Sequence, residues 1–239
     1  MNKIYTAVIA LLFTLASNTS TAGLITVVGD VNSDEFGNQA FYNNILGSSQ
    51  NVLFNTNSNF YGINDIYNNY NTKGLGSLST TLSPITANIL SNVDLLVFSH
   101  TSQWNTPLSY TANELSVISQ FLLGGGDLLL VAEASNSPSN FANFNGFLSG
   151  IGSSISYTGE RISRWDYTQA SANSLTVGQP TLRQGYYDVL TGGTTLYSLN
   201  GKTSVASEQI SASVPEPSTL AIFALGLVGL ASRRYKRQS

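Results

Sequence analysis

The sequence predicts a single α/β domain in three layers, with a mainly parallel sheet between two layers of helices. Residues 94–99 and 127–132 are continuously apolar runs that do not alternate with polar residues, as expected for strands buried on both faces. An amphipathic segment over residues 111–123 separates them and ends at three consecutive glycines. This strand, helix, strand order is typical of a right-handed parallel βαβ unit.

The other elements are predicted from apolar runs and the turn residues between them. Residues 24–28 and 52–54 read as strands, and residues 38–46 as a helix that Gly47 ends. Residues 55–82 are rich in Asn and Gly and are predicted to form a loop. Residues 85–90 are predicted to form a short helix.

The helix over residues 111–123 has a defined start and a buried face. Thr111 can cap it, and Glu114 stands three residues later, which is the spacing of a capping box. Leu115, Ile118 and Leu122 recur at helical spacing and are predicted to form its buried stripe.

The amino-terminal end carries an export signal. Residues 1–22 combine Lys3, an apolar run over residues 4–16 and small residues directly before Gly23. This pattern is typical of a secretory signal peptide, which signal peptidase removes. We therefore expect the mature domain to begin at Gly23.

The carboxyl-terminal end contains a short apolar run followed by basic residues. Residues 220–231 carry no charge, and twelve helical residues reach only about 18 Å, less than the roughly 30 Å hydrocarbon core of a bilayer. Membrane contact through this segment is therefore predicted to be transient. The basic end should remain cytoplasmic, which places the middle of the chain outside the cell membrane.

This carboxyl-terminal region resembles the PEP-CTERM sorting signal. The resemblance rests on Pro215-Glu216-Pro217, the short apolar helix and the basic end with Arg233 and Arg234. It implies an exported protein that a membrane protease of the exosortase type processes, in a bacterium that makes extracellular polysaccharide. The predicted organisation is a signal peptide at 1–22, an α/β domain at 23–213 and a sorting tail at 214–239.

The composition of residues 23–213 excludes several functions. Five basic residues stand against twelve acidic ones, a net charge of −7, so a nucleic-acid partner is not expected. The chain has no cysteine, which excludes disulfides, thiolate catalysis and cysteine-based metal sites. No cofactor is predicted.

Residues 94–133 resemble class I glutamine amidotransferase-like and ThuA-like domains, which are flavodoxin-like three-layer α/β sandwiches. Residues 173–178 are similar to the His-Pro-Leu-x-x-Gly region of these domains, with Asn173 in place of the histidine. The family's nucleophilic cysteine would follow residues 127–132, where this chain has Glu133-Ala134-Ser135, so glutaminase activity is excluded. Because the chain enters its tail where a last strand and helix would follow, the sheet edge near Val205 is predicted to be open or covered by a partner.

Polar side chains follow the predicted strands and form a candidate ligand rim. In a doubly wound sheet, ligands bind beyond the carboxyl ends of the strands. The rim residues are Asp30, Asn32, Asp34, His100 and Glu133.

A serine hydrolase arrangement at this rim would use His100 and Glu133 with Ser99 or Ser135. Neighbouring residues on a strand point in opposite directions, however, and no G-x-S-x-G elbow is present. No catalytic residue is therefore assigned.

Asp30, Asn32 and Asp34 also have the D-x-N-x-D spacing of a calcium loop. Glu35 and Phe41 stand where that loop needs a glycine and a bidentate acid. Calcium binding and a purely local role in turns and helix capping both stay open.

Aromatic residues in loop-like contexts are a further set of candidates, because flat rings can stack on sugars or protein partners. They are Tyr61, Tyr67, Tyr70, Trp104, Trp165, Tyr186 and Tyr187.

Three functional classes follow from these features. The favoured one is an exported protein with a non-catalytic binding or structural role at the cell surface or in the extracellular matrix, linked to exopolysaccharide or biofilm. The alternatives are a secreted hydrolase acting on carbohydrate or ester bonds at the rim, and a self-associating matrix protein.

Overall fold

The strands and helices lie within the part of the chain that a computed structural model describes. These residues are 22–33, 37–55, 63–81, 84–101, 110–134 and 138–210, with the backbone alone for His100 and Thr101. The strands are β1 (Gly23–Val28), β2 (Asn51–Asn55), β3 (Ser77–Thr81), β4 (Leu95–Thr101), β5 (Asp127–Glu133), β6 (Ser156–Arg161), β7 (Trp165–Ala170), β8 (Thr181–Gly185), β9 (Asp188–Thr191), β10 (Thr194–Leu199) and β11 (Lys202–Ile210). The helices are α1 (Gln39–Leu46), α2 (Asn64–Asn71), α3 (Ala87–Leu90), α4 (Ala112–Leu123) and α5 (Pro138–Gly150), and a 3₁₀ turn spans Ser174–Thr176.

The first five strands pair in parallel in the order β3, β2, β4, β5, β1. Side chains alternate between the two faces of this half. Phe98 and Leu130 join a core cluster with residues of α4 and α5, whereas Val97 and Leu129 join a second cluster with residues of α1 and α2. Burial on both faces is the reason why these strands are continuously apolar. The predicted β4, α4, β5 unit is confirmed, including its parallel pairing.

The remaining six strands are antiparallel. β11 pairs with β1 from Gly23 opposite Ile210 to Val28 opposite Val205. β10, β7 and β8 follow in order beyond β11, while β9 pairs with both β11 and β6. A two-residue turn joins β10 to β11, with Asn200 at φ 51° and Gly201 at φ 77°, the backbone conformation that fits a twisted hairpin.

The predicted flavodoxin-like, mainly parallel sandwich is wrong. The described strands form one mixed sheet of 11 strands with few helices, and its second half contains no parallel pair. Strands joined by short turns can pair only antiparallel, because a parallel connection needs a crossover of a dozen or more residues. The prediction extended the pattern of residues 94–132 to a region whose strands alternate between buried and exposed side chains.

The expected open edge near Val205 is also wrong, because β11 lies between β1 and β10 in the sheet. The predicted loop over residues 55–82 contains α2 and β3. Ile66 and Tyr70 hold α2 against the core, and the Tyr70 hydroxyl donates to the backbone oxygen of Tyr42 at 2.7 Å. Two buried anchors four residues apart thus hold an Asn-rich helix whose composition had suggested a loop.

Helix α5 was not predicted from the sequence. Its buried residues Phe141, Phe144, Phe147 and Leu148 recur at intervals of three and four, which is the helical signal that the sequence contained.

Candidate functional site

Exposed aromatic rings gather on one side of the β7–β8 hairpin. The antiparallel register places Trp165 opposite Gly185 and Tyr167 opposite Arg183, so these residues share one face of the sheet. Trp165 is 43% exposed, Tyr167 55% and Tyr186, which directly follows β8, 41%. We call Trp165, Tyr167, Tyr186 and Arg183 the aromatic face.

The opposite side of the same hairpin is core. Thr168, Leu182 and Gln184 are fully buried, and the Thr168 hydroxyl donates to Gln184 Oε1 at 2.9 Å. Alternation along the two strands therefore assigns one side to the interior and leaves the aromatic side to solvent.

Neighbouring residues hold the rings of the aromatic face in place. The Trp165 ring lies over Gly185, where an added Cβ would come within 2.6 Å of it. The Arg183 guanidinium carbon lies 5.1 Å from the centre of the Trp165 ring. Trp165 and Tyr186 meet edge to face, with ring centres 6.4 Å apart and planes at 74°.

Tyr186 adopts a backbone conformation that bulky residues rarely adopt. Its φ is 62°, in the left-handed region that favours glycine, and the strain costs about 1–2 kcal/mol. Its ring contacts the Arg161 guanidinium, whose central carbon is 5.5 Å from the ring centre. A strained residue with an exposed ring is typical of a functional position.

A cleft of about 290 Å³ opens beside the aromatic face. It is lined by residues from the end of β6, the segment between β6 and β7, the segment between β8 and β9, and the β10–β11 turn. We define the cleft by Arg161, Ser163, Arg164, Tyr187, Asn200 and Lys202.

Each basic residue of the cleft has an acidic partner. Arg161 donates from Nη2 to Glu133 Oε1, and this ion pair is almost fully buried. Arg164 Nε donates to Asp166 Oδ2 at 2.9 Å. Lys202 Nζ donates to Glu160 Oε1 at the surface.

Arg161 is both fixed and incompletely bonded. Its side chain is 10% exposed, and its Nε is a buried donor without a hydrogen-bond partner among the described residues. Buried polar atoms of native proteins are nearly always bonded, so an orphan donor beside a cleft points to a missing partner.

The predicted rim residue Asp30 is fully buried. Its Oδ1 accepts a hydrogen bond from the backbone N–H of Asn32 at 2.7 Å, and its Oδ2 accepts one from the backbone N–H of Gly185 at 2.7 Å. Asn32 Nδ2 donates to the Gly185 backbone oxygen at 3.5 Å. These side chains bond the outer edge of β8, the last strand on this side of the described sheet.

Asn38 also bonds the outer edge of β8, although the sequence had indicated it only as the start of a helix. Its Oδ1 accepts from the Arg183 backbone N–H at 3.2 Å, and its Nδ2 donates to the Arg183 backbone oxygen at 2.9 Å. Covering an edge strand prevents it from pairing with other chains. Asp30, Asn32 and Asn38 therefore take the place of a strand beside β8.

The fold brings Asp30 and Glu133 of the predicted rim close enough for their charges to interact. It places Asp188, which no sequence motif had indicated, near Glu133 as well. Burial, together with the nearby charge of Glu133, raises the pKa of Asp30 to about 8 and that of Asp188 to about 7. Backbone hydrogen bonds from Asn32 and Gly185 to Asp30, and from Ala134 to Asp188, act in the opposite direction. Asp188 Oδ1 is buried without a hydrogen-bond partner in the described part of the chain.

Other predicted site residues lie outside the described residues. These are Asp34, Ser135, Tyr61, Trp104, the sorting-tail residues and the side chain of His100. Tyr70 is a buried core residue, and Tyr187 is buried but lines the cleft. Within the described ranges, no group of three or more His, Cys, Asp or Glu residues is arranged to hold a metal ion.

Comparison with known proteins gives one assignment. Residues 213–237 match the PEP-CTERM protein-sorting motif. The match confirms the predicted PEP-CTERM tail and supports an exported surface protein that exosortase processes. The tail itself, with its apolar run, lies outside the described residues, and among those that are described no helix is long and apolar enough to span a membrane.

No curated protein sequence matches the chain. Two solved structures show a distant likeness. A peptidase from an acI-B1 Actinobacterium is 14% identical over 47% of this chain and 55% of its own, with a TM-score of 0.29. IMPa from Pseudomonas aeruginosa, solved in complex with an O-glycopeptide, is 14% identical over 63% of this chain and 22% of its own, with a TM-score of 0.36.

The chain thus spans about half the length of the peptidase and about a fifth of IMPa. Neither TM-score defines a shared fold. The resemblance to amidotransferase-like domains receives no support from these comparisons.

Proposed function

We propose that this PEP-CTERM protein binds extracellular polysaccharide without catalysis, and that the aromatic face is the binding surface. The observation that carries the proposal is the set of exposed rings of Trp165, Tyr167 and Tyr186 on one side of a hairpin. Signal peptidase would release the domain outside the cell membrane, and exosortase would process its tail.

Exposure of these rings is selective within the described domain. The exposed large hydrophobic side chains in that region are Trp165, Tyr167, Tyr186 and Val177, so three of the four belong to the aromatic face. Aromatic residues bury a large apolar area when a flat ligand stacks on them, and a tyrosine hydroxyl or indole N–H also offers a hydrogen bond. A clustered apolar surface of this kind favours a binding role.

The spacing of the rings suits an extended chain. Trp165 and Tyr167 lie two residues apart on the same strand, which separates their Cα atoms by about 7 Å. The Trp165 ring is held by Gly185 and Arg183, so little of its side-chain entropy is lost on binding. A row of fixed rings can stack on consecutive sugar units of a polysaccharide.

The rim carboxylates support a non-catalytic role. Asp30 and Glu133 are buried, and their oxygens accept backbone or guanidinium hydrogen bonds. A general acid or base needs to reach the proton that it transfers. We therefore favour binding over the hydrolase alternative.

Titration of polysaccharides against the full-length protein and its Trp165→Ala variant tests the proposal. We expect the loss of one stacking ring to weaken binding about tenfold or more. Val177→Ala is the matched control, because Val177 is 68% exposed but does not belong to the aromatic face. Equal binding by wild type and Trp165→Ala across neutral and acidic polymers would refute the proposal.

A further inference from the structure

We infer that the polysaccharide is acidic, and that the cleft receives the carboxylate of a uronic-acid unit while the aromatic face stacks on the sugar rings. This inference rests on the proposed function and names the class of ligand. It follows from the charges, burial and bonding of the cleft residues.

Basic residues are concentrated at this site. Residues 23–213 contain five basic residues and have a net charge of −7. Arg161, Arg164 and Lys202 line the cleft, Arg183 lies on the aromatic face, and Lys73 alone stands elsewhere. A polyanion would be repelled by the rest of the domain, so this region is where it can approach.

Two of the cleft cations are available to a ligand. The Arg164 side chain is 64% exposed and that of Lys202 is 40% exposed, and each is paired with one carboxylate at the surface. Exposed ion pairs are weak because water and salt screen them. A ligand carboxylate can therefore exchange with Asp166 or Glu160 at little cost.

Arg161 provides a fixed donor. The buried ion pair with Glu133 and the Tyr186 ring hold its guanidinium, while its Nε has no partner among the described residues. Arginine is suited to carboxylates because its planar group donates in fixed directions. A ligand oxygen in the cleft would supply the missing acceptor.

Arg161 also joins the two parts of the site, because it lines the cleft and contacts the Tyr186 ring of the aromatic face. A sugar unit stacked near Tyr186 thus has its substituents at the mouth of the cleft. Since each cation already has an acidic partner, we expect binding by exchange of partners, with moderate affinity and a clear dependence on salt concentration.

The test compares alginate oligosaccharides with the same oligosaccharides after reduction of their carboxyl groups. The variant is Arg164→Gln with Lys202→Gln, and Lys73→Gln is the matched control for loss of a positive charge elsewhere. We expect the double variant to bind alginate about tenfold more weakly than wild type and the reduced sugar equally well. Thermal melts of both variants should match wild type, because the replaced side chains are partly exposed.

Several results would overturn the inference. Unchanged alginate binding by the double variant would show that the cleft does not recognise the carboxylate. Equal affinity of the wild type for alginate and for the reduced sugar would show the same. Tighter binding of dextran sulfate than of alginate would show a general preference for anions. If Trp165→Ala still abolished binding in these cases, the proposed function would stand and the acidic specificity alone would fail.

Discussion

Tyr186 combines an unfavourable backbone conformation with an exposed ring. Its left-handed conformation is unfavourable for any residue with a side chain, yet its ring is 41% exposed and contacts Trp165 and Arg161. Packing against the core does not explain the position, because the ring lies at the surface. Under the proposed function, the strained position is explained because the ring forms part of the binding surface.

Replacement of Tyr186 by glycine separates the two effects. Tyr186→Gly relieves strain of about 1–2 kcal/mol and removes ring contacts worth about 1–2 kcal/mol. We expect the free energy of unfolding to change by less than about 1 kcal/mol while polysaccharide binding falls about tenfold. Chemical denaturation and binding titration measure both quantities, and a large loss of stability with normal binding would assign the ring a structural role.

Asp30 was predicted to bind a ligand, but in the structure it is a buried residue whose hydrogen bonds support the fold. Asp30→Ala would leave the buried N–H of Gly185 without its acceptor and would break the Asx turn to Asn32. We expect a loss of about 2–4 kcal/mol in the free energy of unfolding. Asp65→Ala, at an exposed position in α2, should cost less than about 1 kcal/mol, and equal losses for the two variants would contradict this account.

At the scale of elements, side chains bond backbone groups at the edge of a strand and at the start of a helix. Asp30, Asn32 and Asn38 bond the outer edge of β8 in place of another strand. At the start of α4, the Glu114 carboxylate accepts hydrogen bonds from the backbone N–H groups of Thr111 at 2.9 Å and Ile85 at 3.1 Å. Glu114 therefore caps the helix and ties it to the segment before α3.

The capping box of α4 gives a graded prediction. Thr111 Oγ1 accepts from the Glu114 backbone N–H at 3.3 Å, and Thr111→Ala should lower the free energy of unfolding by about 1 kcal/mol. Thr111→Ser keeps the acceptor and should cost less than about 0.5 kcal/mol. Glu114→Ala should cost more than Thr111→Ala because it also removes the acceptor for Ile85. Denaturant titrations of the three variants would reject this account if Glu114→Ala were the mildest.

At the scale of the whole domain, β11 runs from the cleft to the last described residue. Ile210, the last described residue before the PEP-CTERM tail, and Lys202 in the cleft stand at opposite ends of this strand. Eight residue steps at about 3.4 Å separate them by about 27 Å. The cleft thus lies at the end of β11 that is remote from Ile210.

Stability of the domain should fall as the pH rises through neutrality. In the folded state the pKa values of Asp30 and Asp188 are about 8 and about 7, above the value of roughly 3.9 expected after unfolding. The folded state therefore holds protons that the unfolded state releases, and its advantage is lost as pH increases through the folded pKa values. We expect a lower melting temperature at pH 8.5 than at pH 5.5.

Between pH 5.5 and pH 8.5, the change in stability should come from the carboxyl groups whose pKa values are raised. Asp94, Glu114 and Glu208 have lowered pKa values, so their contribution to stability is lost only at more acidic pH. Asp188→Asn removes one of the carboxyl groups whose pKa is raised, a set that also includes Asp127, and should flatten the dependence between pH 5.5 and pH 8.5. A melting temperature that rises over this range in wild type would contradict the assignment.

Local patterns in the sequence were sufficient for β4, β5, α4 and the sorting motif. The apolar runs of β4 and β5, the capping box of α4 and the PEP-CTERM tail each depend on residues within a short stretch of chain. Trp165 and Tyr186 were named as candidates because the sequence predicted loops around them; both are exposed, although Trp165 lies in β7.

Long-range pairing decided the rest. The antiparallel register of β11 against β1, the burial of Asp30 beneath Gly185 and the shared side of Trp165 and Tyr167 all join residues that are distant in sequence or depend on which face the core covers. A period of two along a strand shows that its faces differ, but neither the partner strand nor the buried face can be read from it, because both are selected by packing across the whole sheet.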